Sequence, residues 1–205
     1  MDDYVEKNRQ HKLGINGEKA IGENSTEVTA FDVETVKALA KSAGIHTIDI
    51  SNLTTDEVIT PFLKQLYNIN KKHKQMFSRV EVVKMPAGDF AQVTPGFTLQ
   101  LNSDYFNSLA ETNKFFKKLI DNKFLPKGAG IEYSAIHEWG HYVSQQDLQN
   151  SKSPMHTLFR RTKEKDFVSK NSALDVYEFV ADAIACKESG ISCKYSDKVV
   201  KYYLE

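Results

Sequence analysis

The run His137-Glu138-Trp139-Gly140-His141 sets two imidazoles and a carboxylate within a single helical turn and a half. Helical residues four apart share one face, so His137 and His141 can present their rings to one cation. Zinc takes imidazole nitrogen at roughly 2.0–2.1 Å. Glu138 sits beside the pair, where it reaches a water polarised by the ion rather than the ion itself. Zn2+ draws the pKa of such a water toward ~7, and Glu138 would remove its proton. The residues around the motif, Ile131, Ala135, Ile136, Trp139 and Val143, are apolar. They argue for a buried helix over residues 131–146, with Trp139 packed in the core, rather than a surface helix carrying two stray histidines. Gly140 within that helix costs about 1 kcal/mol relative to alanine, so close approach of another segment is expected in return.

A catalytic zinc usually takes three protein ligands and keeps one position open. Downstream, Asp175-Val176-Tyr177-Glu178-Phe179-Val180-Ala181-Asp182-Ala183-Ile184-Ala185 reads as a second buried helix. Glu178 and Asp182 are four apart and share its face. Burying two carboxylates on an apolar helix is unfavourable unless something compensates them, and a cation with its histidines would do so. The expected assignment is Glu178 as third ligand and Asp182 as acceptor for an imidazole N–H, which fixes the tautomer of that ring. The plainer alternative is a solvent-facing acidic stripe. Asp175 is placed to cap the helix.

The elements that must hold these residues can be read in outline. Asp32 is placed to cap a helix carrying Val33, Val36, Leu39 and Ala40. Thr54 with Glu57 has capping-box spacing for a second helix through Val58, Phe62, Leu66 and Ile69. Its basic end, Lys71-Lys72-His73-Lys74, reads as a solvated terminus that complements the helix dipole. Residues 80–85 and 96–102 carry strand patterning. A helix opening at Ser103 or Asp104 carries Leu109, Phe115, Phe116, Leu119 and Ile120, and Pro126-Lys127-Gly128-Ala129-Gly130 ends it. Residues 144–171 read as a surface connection with a short helix, or as one wall of a cleft. Residues 1–30 are polar and glycine-bearing and read as an arm or extension, leaving residues 31–205 as the folded domain.

With 40% hydrophobic and 26% charged residues, the 205-residue chain can bury a core and is not disordered overall. Lys+Arg 27 balances Asp+Glu 27, which argues against a general nucleic-acid or anionic-lipid footprint. No apolar run approaches the ~20 residues that span a bilayer. The acidic, polar start at Met1-Asp2-Asp3-Tyr4 does not read as a signal peptide, so a cytoplasmic or virion-associated location is expected. Cys186 and Cys193 are too few for a disulfide framework and lack nearby histidines for a second zinc site. They read as free thiols, or as a local disulfide if the chain is exported.

The order of these motifs resembles the gluzincin metallopeptidases. The closer likeness is to the anthrax lethal factor-like branch, which includes Pro-Pro endopeptidases and peptidase-like domains of phage minor capsid proteins and toxins. The residues that carry the resemblance are Leu101-Asn102-Ser103-Asp104-Tyr105-Phe106, then Pro126-Lys127-Gly128, then His137 to His141, then Glu178-Phe179-Val180-Ala181-Asp182-Ala183-Ile184. They cover about residues 33–190. The resemblance implies an α+β zincin-like domain with a small, mostly antiparallel sheet packed on the active helix. It also implies one zinc ion, a protein or peptide substrate, and phage-related partners. It makes the strand over residues 96–101, with Thr98, Leu99 and Gln100, the edge that pairs with an extended substrate; an ordinary edge strand is the alternative. In such families a tyrosine seven residues before the ligand glutamate stabilises the oxyanion, and here that position is Asn171. Asn171 and His156 are therefore the candidate oxyanion donors, with Tyr133 and Tyr195 behind them, while Tyr177 is expected to point elsewhere. The expected activity is zinc-dependent endopeptidase hydrolysis. The alternatives are a zinc-bearing docking module of a phage or toxin assembly and a regulatory metallopeptidase of the anti-repressor type.

Overall fold

The computed structural model describes residues 31–205, so the polar arm expected over residues 1–30 lies outside the described residues. Helix α1 (Val33–Ser42) begins where Asp32 accepts hydrogen bonds from the amides of Glu34 and Thr35, as its position suggests. Strand β1 (Thr47–Asp49) leads into α2 (Ile59–His73), then β2 (Arg79–Val83), β3 (Ala91–Val93) and β4 (Thr98–Asn102). A short α3 (Ser103–Phe106) and α4 (Leu109–Asp121) follow, capped separately by Asn102 and Ser108. The long α5 (Ile131–Leu148), α6 (Pro154–Arg161), α7 (Val176–Glu188) and α8 (Ser196–Tyr203) complete the described chain.

Two local expectations are corrected here. The second helix starts at Ile59, not Thr54. Pro61 explains the later start, because it is tolerated only in a first turn, where its missing N–H has no partner to lose. Thr54 instead turns its amide and hydroxyl onto the Asn107 side-chain oxygen, at 2.6 and 3.0 Å. The basic end of α2 is not simply solvated either. Lys72 Nζ lies 2.8 Å and His73 Nε2 3.4 Å from Glu188 Oε1, tying α2 to the end of α7.

The sheet is mixed, with strand order β1-β2-β4-β3. β1 pairs with β2 and β2 with β4 in parallel, while only β3 and β4 are antiparallel, so the expectation of a mostly antiparallel sheet is wrong. The reason is β3, whose three residues are too short to show a period. It turns the chain back once between β2 and β4. That extra reversal lets β4 return alongside β2 in the same direction, in the register Val80↔Leu99 and Val82↔Leu101. The strand containing Thr98, Leu99 and Gln100 is therefore central, flanked by β2 and β3, and the edge beside it is β3.

The core lies between this sheet and the helices. Phe62 and Phe106 meet edge to face at 5.4 Å between ring centres, and Phe90 sits on Phe106 and Phe116 at 4.9 Å each. Trp139 is fully buried, and its indole N–H donates to the Gln75 carbonyl at 2.9 Å, which pins α5 to the chain after α2. On the far side of α5, Gly140 faces Ala181 of α7. A Cβ at Gly140 would stand 2.9 Å from Ala181 Cα and 3.2 Å from its carbonyl oxygen, so the two helices touch backbone to backbone. This is the close approach that the helical glycine calls for.

Gly140→Ala should therefore destabilise the protein despite alanine's better helix propensity. Overpacking of this kind typically costs about 1–3 kcal/mol, and the urea unfolding midpoint should fall accordingly. An unchanged or raised midpoint would show that the helices have room to part.

Candidate metal centre

Both histidines of the motif come from α5, and the third candidate ligand comes from the first turn of α7. That turn is held by Asp175, whose Oδ1 accepts the Glu178 amide hydrogen at 2.9 Å. The contact at Gly140 and Ala181 brings the turn onto the histidine face. There, His137 Nε2 lies 3.0 Å from His141 Nε2 and 3.1 Å from Glu178 Oε2, and His141 Nε2 lies 3.4 Å from Glu178 Oε1. Asn171, in a turn before α7, donates from Nδ2 to Glu178 Oε2 at 2.6 Å.

The donor set fits a small divalent cation. Ligand atoms about 2.0–2.1 Å from a tetrahedral ion stand about 3.3 Å from one another. The three separations observed bracket that value, and one atom from each residue can be chosen so that all lie within 4.8 Å of one another. Two imidazoles and a carboxylate suit zinc and its neighbours in the transition series rather than calcium or magnesium, which prefer oxygen.

Behind the ligands lies a buried polar layer. Asp182 is fully buried, and its Oδ1 lies 2.8 Å from His137 Nδ1, a contact bent away from a straight hydrogen bond. Tyr133 donates to the same oxygen at 2.8 Å, and Ser169 donates to Oδ2 at 2.7 Å. Ser169 and Ser172 tie each other's amides and hydroxyls into one turn. Burial opposes a charged His137, but the carboxylates of Asp182 and Glu178 outweigh it and raise its pKa well above that of a free imidazole. Burial likewise works against an ionised Glu178, yet hydrogen bonds from His137 and His141 win and hold it well below the usual carboxylate range.

Glu138 is buried, and its Oε2 has no hydrogen-bond partner among the described residues. Burial raises its pKa, the two imidazoles lower it, and Glu178 raises it again, leaving it above an ordinary glutamate. The carboxylate lines an open cleft of about 500 Å³ together with His137, His141 and Glu178. One wall is residues 88–93, including all of β3. Another is apolar, with Phe115, Phe116, Leu119, Phe124 and Leu125, and with Leu174, which is 61% exposed. No lysine or arginine is among the lining residues described.

Several site expectations need correction. Thr98, Leu99 and Gln100 cannot be the pairing edge, because β3 stands between them and the cleft side of the sheet. His156 is not among the cleft residues; its Nε2 lies 3.0 Å from the Leu148 carbonyl oxygen. Tyr133 lines the cleft but its hydroxyl donates to Asp182, and Tyr195 is not among the cleft residues; its ring packs on Phe179 at 6.0 Å. Asn171 reaches the site, but its amide is spent on Glu178. Tyr177 lines the cleft, contrary to expectation. Within residues 144–171 only Gln145 and Asn171 line the cleft, and helix α6 does not. Phe159 packs on Phe167 and Phe179 instead, through rings 5.6 and 5.8 Å apart.

Gln145 went unnoticed in the sequence. It follows His141 by one turn, lines the cleft, and has a buried side-chain oxygen with no partner. Its i+4 and i+8 spacing from the two histidines was the available signal. Among the described residues, no helix is long and apolar enough to cross a membrane. No protein-family model, curated protein or solved structure matches the chain.

Because Asp182 and Glu178 favour the protonated form of His137, an entering ion competes with that proton. Zinc binding near neutral pH should release about one proton, and the apparent affinity should fall about tenfold per pH unit as the solution is acidified. Titration calorimetry in two buffers of different ionisation enthalpy measures this. Affinity independent of pH would contradict the assigned proton.

Proposed function

We propose that the chain is a zinc-dependent endopeptidase. The observation that carries this reading is the convergence of His137, His141 and Glu178 at a cleft that Glu138 also lines, with one of its carboxylate oxygens buried and unpartnered. A buried carboxylate with no partner is costly unless it serves a ligand or a reaction. A zinc ion held by these three residues would supply a Lewis acid for a carbonyl and would acidify water.

The chain's own residues supply the rest. Glu138 is the general base: its carboxylate accepts a proton from water and afterwards delivers it to the leaving amine. Its raised pKa suits both transfers better than that of an ordinary glutamate. Asp182, held by Tyr133 and Ser169, orients His137. Tyr177 brings a phenol to the cleft wall, the type of donor that charge on a scissile carbonyl oxygen requires.

The cleft also favours one class of substrate. With no lysine or arginine in its described lining, it lacks a cation to hold a chain-terminal carboxylate, which supports cleavage within a chain. The edge strand β3 can offer its backbone to an extended peptide. The unpartnered Gln145 amide offers one further hydrogen bond, and the aromatic and leucine wall suits an apolar side chain.

A second reading rests on Asn171. With its amide held by Glu178, it is a brace for a ligand rather than a free donor, as a metal-binding module without turnover would have.

Glu138→Gln should leave zinc content unchanged and lower peptide hydrolysis by roughly 10²–10⁴, the scale of general-base catalysis. His137→Ala should lose the metal as well. Digestion of a peptide library with and without chelator, read by mass spectrometry, separates the readings. Chelator-sensitive cleavage supports the peptidase, whereas bound zinc without cleavage supports the module. Hydrolysis undiminished in Glu138→Gln would remove the proposed base.

A further inference from the structure

The C-terminal end of α7 folds back on itself. Gly190 adopts a left-handed conformation, with φ of +70°, and the Ile191 amide donates to the Cys186 carbonyl at 2.8 Å. This turn returns the chain over the last turn of the helix and brings Cys193 back toward Cys186, near enough for each thiol to shift the other's pKa. Both are free; Cys186 is buried and Cys193 is half-buried, so a small oxidant can reach the second. On its other side, Cys186 Sγ lies 3.9 Å from the Tyr133 hydroxyl. Tyr133 donates to Asp182 Oδ1 at 2.8 Å, and that oxygen lies 2.8 Å from His137 Nδ1. An accessible thiol is thus joined to a candidate metal ligand through an unbroken series of contacts.

We propose that Cys186 and Cys193 form a dithiol–disulfide site oxidised by peroxides, and that closing the bond weakens metal binding by withdrawing Cys186 from Tyr133. The second half rests on the metal-centre reading; the first does not. Cys193 is the attacking sulfur. The thiol of Cys186, outweighing burial and helped by the Tyr195 and Ser196 amides, pulls the Cys193 pKa down to about 7. The Cys193 interaction and burial push Cys186 up, which makes it the resolving thiol.

In the first step the Cys193 thiolate attacks hydrogen peroxide. An S–O bond forms, the O–O bond breaks, and the departing hydroxide takes a proton to leave as water. In the second, Cys186 attacks the resulting sulfenic acid: the S–S bond forms, the S–O bond breaks, and hydroxide leaves with the Cys186 proton as a second water. Two thiols lose two electrons, and one peroxide is reduced to two waters. The new bond draws the Cys186 sulfur toward Cys193, so Asp182 and His137 lose part of their support. Changes in such supporting contacts typically lower metal affinity about 10–100-fold.

The test treats the reduced, metal-free full chain with hydrogen peroxide. It then maps the thiols by non-reducing peptide mass spectrometry and measures zinc affinity by chelator competition, before and after oxidation and again after re-reduction. The expected result is a mass loss of two hydrogens, a Cys186–Cys193 cross-link, and zinc affinity about tenfold weaker that recovers on reduction. Cys186→Ser should stop at a sulfenic acid on Cys193, trapped by dimedone. Cys193→Ser should bind zinc as the reduced protein does and ignore peroxide. Accumulation of sulfinic acid at Cys193 without a cross-link would overturn the dithiol site. A cross-link with unchanged zinc affinity would overturn the coupling. A reduced chain that binds no zinc would sink the metal centre and the coupling with it, while the thiol mapping would still decide the disulfide.

Discussion

The contact between Gly140 and Ala181 sets the distance from which everything in the site follows. Ligands from two helices can meet around one point only if the helix backbones come closer than ordinary side chains permit. A Cβ on α5 at that position would push α7 outward. Glu178 would then retreat from the two imidazoles and Asp182 from His137. The residue that brings the three candidate ligands together is thus the one in the motif with no side chain.

Beneath that contact, charge is balanced by pairing rather than by solvent. Asp182 is fully buried, yet each of its oxygens has a donor, from Tyr133 and from Ser169, and His137 lies against it. Such networks are favourable only when every member is satisfied, and they hold their geometry firmly when they are. Among the described residues four buried polar atoms lack a well-aligned hydrogen bond, His73 Nε2, His137 Nδ1, Glu138 Oε2 and Gln145 Oε1, and all but His73 belong to residues that line the cleft.

What could be read from the amino-acid order was whatever a helix period encodes. His137, His141, Glu178 and Asp182 are paired at four-residue spacing, and their apolar surroundings show that both helices are buried. The caps at Asp32 and Asp175 were equally legible, because one side chain and the amides two or three residues after it form each of them. The sheet was harder. Strand pairing joins residues far apart in the chain, and β3 is too short to announce itself, so direction and edge were both misjudged. At the start of α2 two local signals conflict, the capping-box spacing at Thr54 and the first-turn preference of Pro61, and the proline prevails. Tyr177 and the roles of Asn171, Ser169 and Tyr133 depend on where one helix lies against another, which no local pattern records.

Both outer strands of the sheet, β1 and β3, are three residues long. An open edge of that length gives a passing peptide a few backbone hydrogen bonds, enough to align it when other contacts contribute. It gives a second copy of the sheet too little to stack against, and long flat edges are what seed aggregation. The shortness of the outer strands therefore leaves little edge for a second copy of the sheet to pair with.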